Sequence, residues 1–451
     1  MHVASHGLEN DVTMTRHPES AERDEGSRNA RSFAVFAAQD DERHRSERAA
    51  EFAIALLGLA LIAGAIAANQ HWLDRHFLSD FFIARETFVR VETNTRIAAA
   101  AVGLLLVFLV RRPLARFLVC DPVRSALLSC AIVASFGAAE VVLRTKHLRA
   151  KEEVSARKEP RRHLDARLGW LFVPSRAGYQ TINGRRTEYA FDANGYRVRR
   201  VGDVVDFDAP TIVFTGESMM VGEKLHWDET IPAQTAALTG LQSANIAVSG
   251  FATDQAFLRL QRELPRFRHP VATVLLFTPS LLDRNLDDDR PHLGPQLAWQ
   301  PATQRWRLAA IAKRLLRYRS EEDVERGIAV TREVLRAFVA LSRAHGAEPL
   351  VLVPQFGEEE PREREWRRRI LDEPRFPYVQ VKLDPAWRIY DDGHPDPRAA
   401  HAMAVAIARR IAPHPAFGHL LPASGEKGYL RRVCFVAPRP ACGERVARSA
   451  G

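Results

Sequence analysis

Cysteine is scarce: Cys120, Cys130, Cys434 and Cys442 are the only four in 451 residues. None has a CxxC spacing or stands at a metal-ligand interval from histidine, which argues against zinc modules and paired-thiol redox chemistry. Cys120 and Cys130 lie in or beside apolar segments and read as core residues. Cys434 and Cys442 either bridge a small tail loop in an oxidising compartment or stay free. Residues 1–50 do not read as a leader peptide, because the first apolar run begins only near residue 52. No nucleic-acid module accompanies the excess of 64 basic over 55 acidic residues. The formal charge of +9 instead traces to basic residues flanking apolar segments, so no nucleic-acid partner is expected, and no cofactor or metal.

What is present is enough apolar sequence, 46%, for a large core, and a length that allows two or three domains. Residues 1–50 are polar and aperiodic and read as a disordered tail. Residues 51–144 form a membrane anchor of two or three helices, with the lipid bilayer as partner. Phe52–Asn69 carries no charge and is near the length of about 20 residues that a span needs. Ala126–Leu143 is similar, with one acid, Glu140, near its end. Ile97–Val110 has only 14 uncharged residues, and Arg96 and Arg111 at its ends must snorkel if it is to span. Arg111, Arg112, Arg116 and Arg124 make the second connection the densest in basic residues, which places it inside. Three spans then put everything after residue 144 outside, although Arg144, Lys146, Arg149 and Lys151 oppose this. The expected location is a bacterial inner membrane, with the following domain on its periplasmic side.

Residues 145–209 combine a charged linker with a small β-rich lead-in, whose Asn183-Gly184 and Asn194-Gly195 pairs suit tight turns. From 210 to 412 strands alternate with helices. Strands are expected at Thr211–Thr215, Ala244–Val248, Ala272–Phe277, Pro349–Val353 and Tyr378–Leu383. Helical patterns fall near 230–239, 254–264, 326–345 and 396–412. Such alternation predicts an α/β three-layer sandwich around a mainly parallel five-stranded sheet. Residues 357–372 read as a solvated, charge-laced helix, and 413–451 as a tail.

Three elements carry chemistry. Ser218 stands on the turn between a buried strand and a helix, at the strand's carboxyl end, where open α/β sheets bind ligands. Asp391 and His394 are three residues apart before the last helix, so the carboxylate can orient an imidazole that takes a proton from a nucleophile. Asp392 is the rival orienting group. Gly250 follows the second strand, where its amide can donate to a developing oxyanion. Asp287-Asp288-Asp289 reads as a solvated acidic loop rather than a cation site.

These elements, in this order, resemble the SGNH, or GDSL-like, hydrolases and acyltransferases over about residues 166–412. The lead-in resembles that of membrane-anchored members. Gly216-Glu217-Ser218 matches the first block, with glutamate where the family usually has aspartate, and Gly250 the second. Asp391 and His394 match the last. The resemblance implies a flavodoxin-like fold, Ser218 as nucleophile, His394 as base, Asp391 as its partner, and the Ser218 and Gly250 amides as oxyanion donors. The third block departs from the pattern: Ser280 stands where an asparagine is expected, and Asn285 is the nearest asparagine. Either could supply the missing donor, or the site is degraded. The implied activity is hydrolysis of an ester-linked acyl group on a small molecule or glycan. The alternatives are O-acyl transfer to envelope glycans and a non-catalytic glycan-binding or scaffold role.

Overall fold

The apolar runs build the first helices: α1 (Pro18–Ala67), α2 (Gln70–His76), α3 (Arg85–Cys120) and α4 (Pro122–Lys146). The computed structural model describes residues 18–411 apart from 78–80, 83–84, 147–152, 156–157, 183, 280, 304–305, 317 and 391. Ala37–Ala67, Arg85–Cys120 and Pro122–Thr145 are long and apolar enough to cross a membrane. Phe52, Phe108, Leu109 and Val133 on these helices are exposed, so the helices do not bury a core of their own. The middle run gains length because its helix continues past Arg96 and Arg111 at either end.

Two expectations are corrected here. Residues 18–50 are helical rather than disordered. Pairs one turn apart, such as Arg45 with Asp41 at 3.1 Å, support the helix, and the apolar window that follows extends it. Cys120 and Cys130 are exposed on helix surfaces, not packed in a core. Cys434 and Cys442 lie outside the described residues.

The lead-in is a hairpin of β1 (Arg162–Asp165) and β2 (Gly169–Phe172), then β3 (Arg176–Ile182), β4 (Arg185–Phe191) and β5 (Arg197–Val198). After it come β6 (Thr211–Thr215), α5 (Ser218–Val221), α6 (Ile231–Thr239), β7 (Gln242–Asn245), α7 (Thr253–Glu263), β8 (Pro270–Leu276) and α8 (Leu281–Asn285). A small ribbon, β9 (His292–Leu293) with β10 (Trp299–Gln300), precedes α9 (Arg307–Leu316) and α10 (Glu321–Ala344). The chain closes with β11 (Glu348–Phe356), α11 (Pro361–Arg367), β12 (Tyr378–Leu383) and α12 (Pro397–Ile411).

One eight-stranded sheet runs β12-β11-β8-β6-β7-β5-β4-β3. Its first five strands are mutually parallel, and the lead-in strands extend it antiparallel through β5. Helices α6 and α12 cover one face, and α7, α8 and α10 the other, which completes three layers. Ile212, Val213, Phe214, Leu275, Leu276 and Leu352 fill the centre. In chain order the parallel strands lie 2-1-3-4-5, so the order reverses at the first strand, β6. The crevice at the carboxyl ends of β6 and β8 is therefore the expected ligand site. Strand β7 stops at Asn245, short of Val248, yet the Ile246 and Val248 amides still bond to the Phe214 and Gly216 carbonyls.

The connection between α1 and α3 docks on this domain. Arg75 pairs with Glu321 at 2.6 Å and Arg85 with Glu360 at 3.2 Å. The Arg319 amide donates to the His76 carbonyl at 2.8 Å, and Arg362 bonds to the Asp74 carbonyl.

Candidate active site

Strand β6 ends in Gly216, whose φ of +152° suits glycine. A Cβ there would meet Leu276 Cβ and Met220 Cβ at 3.1 Å, so the close packing of β6, β8 and α5 also needs it. Ser218 then opens α5, buried at the carboxyl end of β6. Glu217 caps this turn, its Oε1 accepting the Met219 amide at 2.9 Å.

His394 arrives from the loop between β12 and α12. The Ile389 amide donates to the His394 carbonyl at 2.7 Å, closing a tight return that aims the ring at β6. Its Nε2 lies 2.8 Å from Ser218 Oγ, joining groups 176 residues apart. On the other side Nδ1 bonds to Asp392 Oδ1, and the second Asp392 oxygen pairs with the Lys224 ammonium. The rival aspartate is thus the one on the ring. Asp391 lies outside the described residues. Burial lowers the His394 pKa below its ordinary value, with Lys224 and Arg284 acting the same way against Glu223 and Glu217. That direction favours the neutral ring that a general base requires.

A second acceptor competes for the serine. Glu217 Oε2 lies 2.5 Å from Ser218 Oγ, and Arg284 Nη1 approaches that carboxylate oxygen at 3.5 Å. Glu223 stands on the serine side of the ring, Oε2 3.8 Å from His394 Nε2. Burial pushes the Glu223 carboxyl up, but the charges of His394, Arg162 and Lys224 outweigh it and hold the group below its usual range. The surroundings of Ser218 and His394 are consequently crowded with paired charges, Glu217 with Arg284 and Asp392 with Lys224.

Among the described residues no protein acceptor takes the Ser218 or Gly250 amide. Both remain able to donate to an oxyanion. Asn285 is drawn the other way: its Nδ2 donates to Thr331 Oγ1 at 2.9 Å and its Oδ1 accepts the Asp254 amide at 3.3 Å. It ties α8 to α7 and α10, so the donor role expected of it is not supported. Ser280 lies outside the described residues. The cation of the third block that reaches the site is Arg284, one residue before Asn285.

Several supporting residues escape a reading by motif. Arg197, fully buried in β5, donates to the Val221, Gly222 and Leu225 carbonyls at 2.6, 2.5 and 2.6 Å, fixing the loop that follows α5. Trp170 Nε1 donates to the Ser249 carbonyl at 2.8 Å, bracing the turn that presents Gly250. Both lie in the aromatic, Asn-Gly-punctuated lead-in, so composition flags the region though not the contacts. Phe82 stacks on the His394 ring, centroids 4.5 Å apart and planes 28° from parallel. Nothing in its local sequence signals that. Among the described residues no three His, Cys, Asp or Glu side chains converge as for a metal ion.

No family model matches the chain, and no curated protein does. Solved structures do. A GDSL-like lipase from Bacteroides thetaiotaomicron is 15% identical over 45% of this chain and 88% of its own, with a TM-score of 0.28. A member of the lipolytic protein G-D-S-L family from Veillonella parvula is 9% identical over 44% and 96%, with a TM-score of 0.27. An acetyl xylan esterase from Butyrivibrio proteoclasticus is 11% identical over 47% and 66%, with a TM-score of 0.29.

Proposed function

We propose that the α/β domain is an SGNH-type serine esterase, anchored in a membrane, with Ser218 as nucleophile, His394 as base and Asp392 as the carboxylate that orients it. The observation that carries this is the 2.8 Å contact between Ser218 Oγ and His394 Nε2, with Asp392 on the opposite ring nitrogen. Ser218 Oγ attacks the ester carbonyl carbon as its proton passes to Nε2. The tetrahedral oxyanion accepts from the Ser218 and Gly250 amides, and Arg284 adds positive charge near the position of the absent asparagine. The C–O bond to the alcohol breaks, and His394 returns the proton to the leaving oxygen. A water or a sugar hydroxyl then loses its proton to His394, attacks the acyl-enzyme and frees Ser218.

We infer, from the basic density of the second connection, that the domain lies on the outer, periplasmic face of a bacterial inner membrane. The contacts of Arg75 and Arg85 with the domain support one side for the domain and the first connection, since groups in contact must share a side. Were α3 not to cross, α4 would carry the domain to the face opposite that connection. The same geometry bears on the substrate. Arg96 donates to the Ala65 carbonyl at 3.0 Å, which levels the end of α1 with the start of the apolar run of α3. Back from there, twelve residues to Arg85 rise about 18 Å at about 1.5 Å each. That exceeds the roughly 5–8 Å depth of one interfacial layer. An ester on a glycan or small molecule above the membrane fits such a site better than one on a bilayer lipid.

Ser218 and His394 are only 6% and 8% exposed. The second reading is transfer of the acyl group to a sugar hydroxyl from the same serine. Full-length protein in detergent, assayed on a short chromogenic ester, distinguishes the two. Ser218→Ala should lower turnover by more than about 10³-fold, and an unchanged rate rejects the nucleophile. Acyl transfer to an added sugar that outpaces release to water marks a transferase. If the folded protein turns over no ester at all, the non-catalytic role stands instead.

A further inference from the structure

The membrane connection does more than tether the domain: it touches the ring of the base. Phe82 lies three residues before α3, a helix long and apolar enough to cross a membrane. Its ring stacks on His394 at 4.5 Å. Its backbone is equally close, because a Cβ at Gly393 would stand 2.3 Å from the Phe82 carbonyl oxygen. Gly393, at φ +79°, is thus the point where the histidine loop and the connection meet. Phe81 continues the contact, its ring 5.7 Å from Phe356 at the end of β11 and beneath the Arg388 guanidinium at 4.7 Å.

We propose that Phe82 is a positioning residue of the active site, holding the His394 ring edge-on to Ser218 and keeping water off it, so that the membrane connection forms one wall of the site. The inference rests on the assignment of His394 as base. Hydrogen bonds at the ring's two nitrogens, to Asp392 and Ser218, leave it free to turn about the line between them, and a ring laid on its face removes this freedom. The stack also supplies part of the burial that lowers the histidine's pKa. The charged groups facing the ring are Asp392 from its own loop, Glu217, Glu223 and Lys224 around α5, and Arg284 from α8. Phe82 is the apolar group that covers its face.

The test uses full-length protein in detergent, with the rate of a chromogenic ester and the rate of fluorophosphonate labelling each followed against pH. Phe82→Ala should lower kcat about 3- to 10-fold with little change in KM, the range expected of one aromatic stack. It should also move the midpoint of the acidic limb upward, toward about 6.5, the ordinary histidine value. Phe82→Tyr, which keeps the ring, should restore both. Phe82→Leu, which keeps bulk without a ring and guards against misfolding of the alanine variant, should restore the pH midpoint more than kcat. A folded Phe82→Ala protein with an unmoved acidic limb and unchanged kcat overturns the proposal. Equal losses in the tyrosine variant overturn it as well. Failure here leaves the His394→Ala result untouched, whereas failure of the base assignment appears as labelling and turnover that survive His394→Ala.

Discussion

Glu217 Oε2 lies 2.5 Å from Oγ of Ser218, its neighbour in the chain, closer than the histidine proposed to take the serine's proton. The hydroxyl has a single proton, so a serine donating to Glu217 is not donating to His394. The carboxylate restrains the resting nucleophile unless Arg284, 3.5 Å away, draws it off.

Shortening that side chain should release the serine. Glu217→Asp keeps a carboxylate able to cap Met219 but withdraws it from Oγ. Removing one competing hydrogen bond, worth about 1 kcal/mol net, should raise kcat for a small ester roughly fivefold. Steady-state kinetics checks this, and a fall in kcat in a protein of unchanged melting temperature contradicts it.

The two aspartates before His394 should behave unequally. Asp392→Asn removes the acceptor at Nδ1 and should cost about 10³–10⁴-fold in kcat, the loss seen when such a carboxylate is neutralised. Asp391→Asn should stay within about threefold, since only a group on the ring sets its tautomer. A comparison of the two kcat values decides it, and the reverse order assigns the role to Asp391.

Much of this site is legible in the residues, and the remainder is not, for a physical reason. Strand β12 spans Tyr378–Leu383 as its β-branched and aromatic pattern predicts, and Thr211–Thr215 is equally plain. Local periodicity suffices there, because burial of one element dictates it. The choice between Asp391 and Asp392 turns on a backbone reversal at Gly393, and Phe82 packs against that reversal from far along the chain. Contacts across some 300 residues leave no local mark. Asn285 misleads for a similar reason. Its amide has a better partner in Thr331, on a helix whose placement only the packed domain reveals.

The three-span reading predicts where reporters work. Alkaline phosphatase fused after residue 85 or residue 160 should be active, and fused after residue 118 inactive, because only the first two sites lie outside. Activity after 118, or its loss after 160, reverses the placement.

The most direct measurement of the central claim is peptide mapping of the folded, full-length protein after a fluorophosphonate probe. A single adduct on the peptide carrying Ser218, abolished in His394→Ala, is the expected result. Folded protein left unlabelled, or labelled at another residue, contradicts a serine activated by its contact with His394.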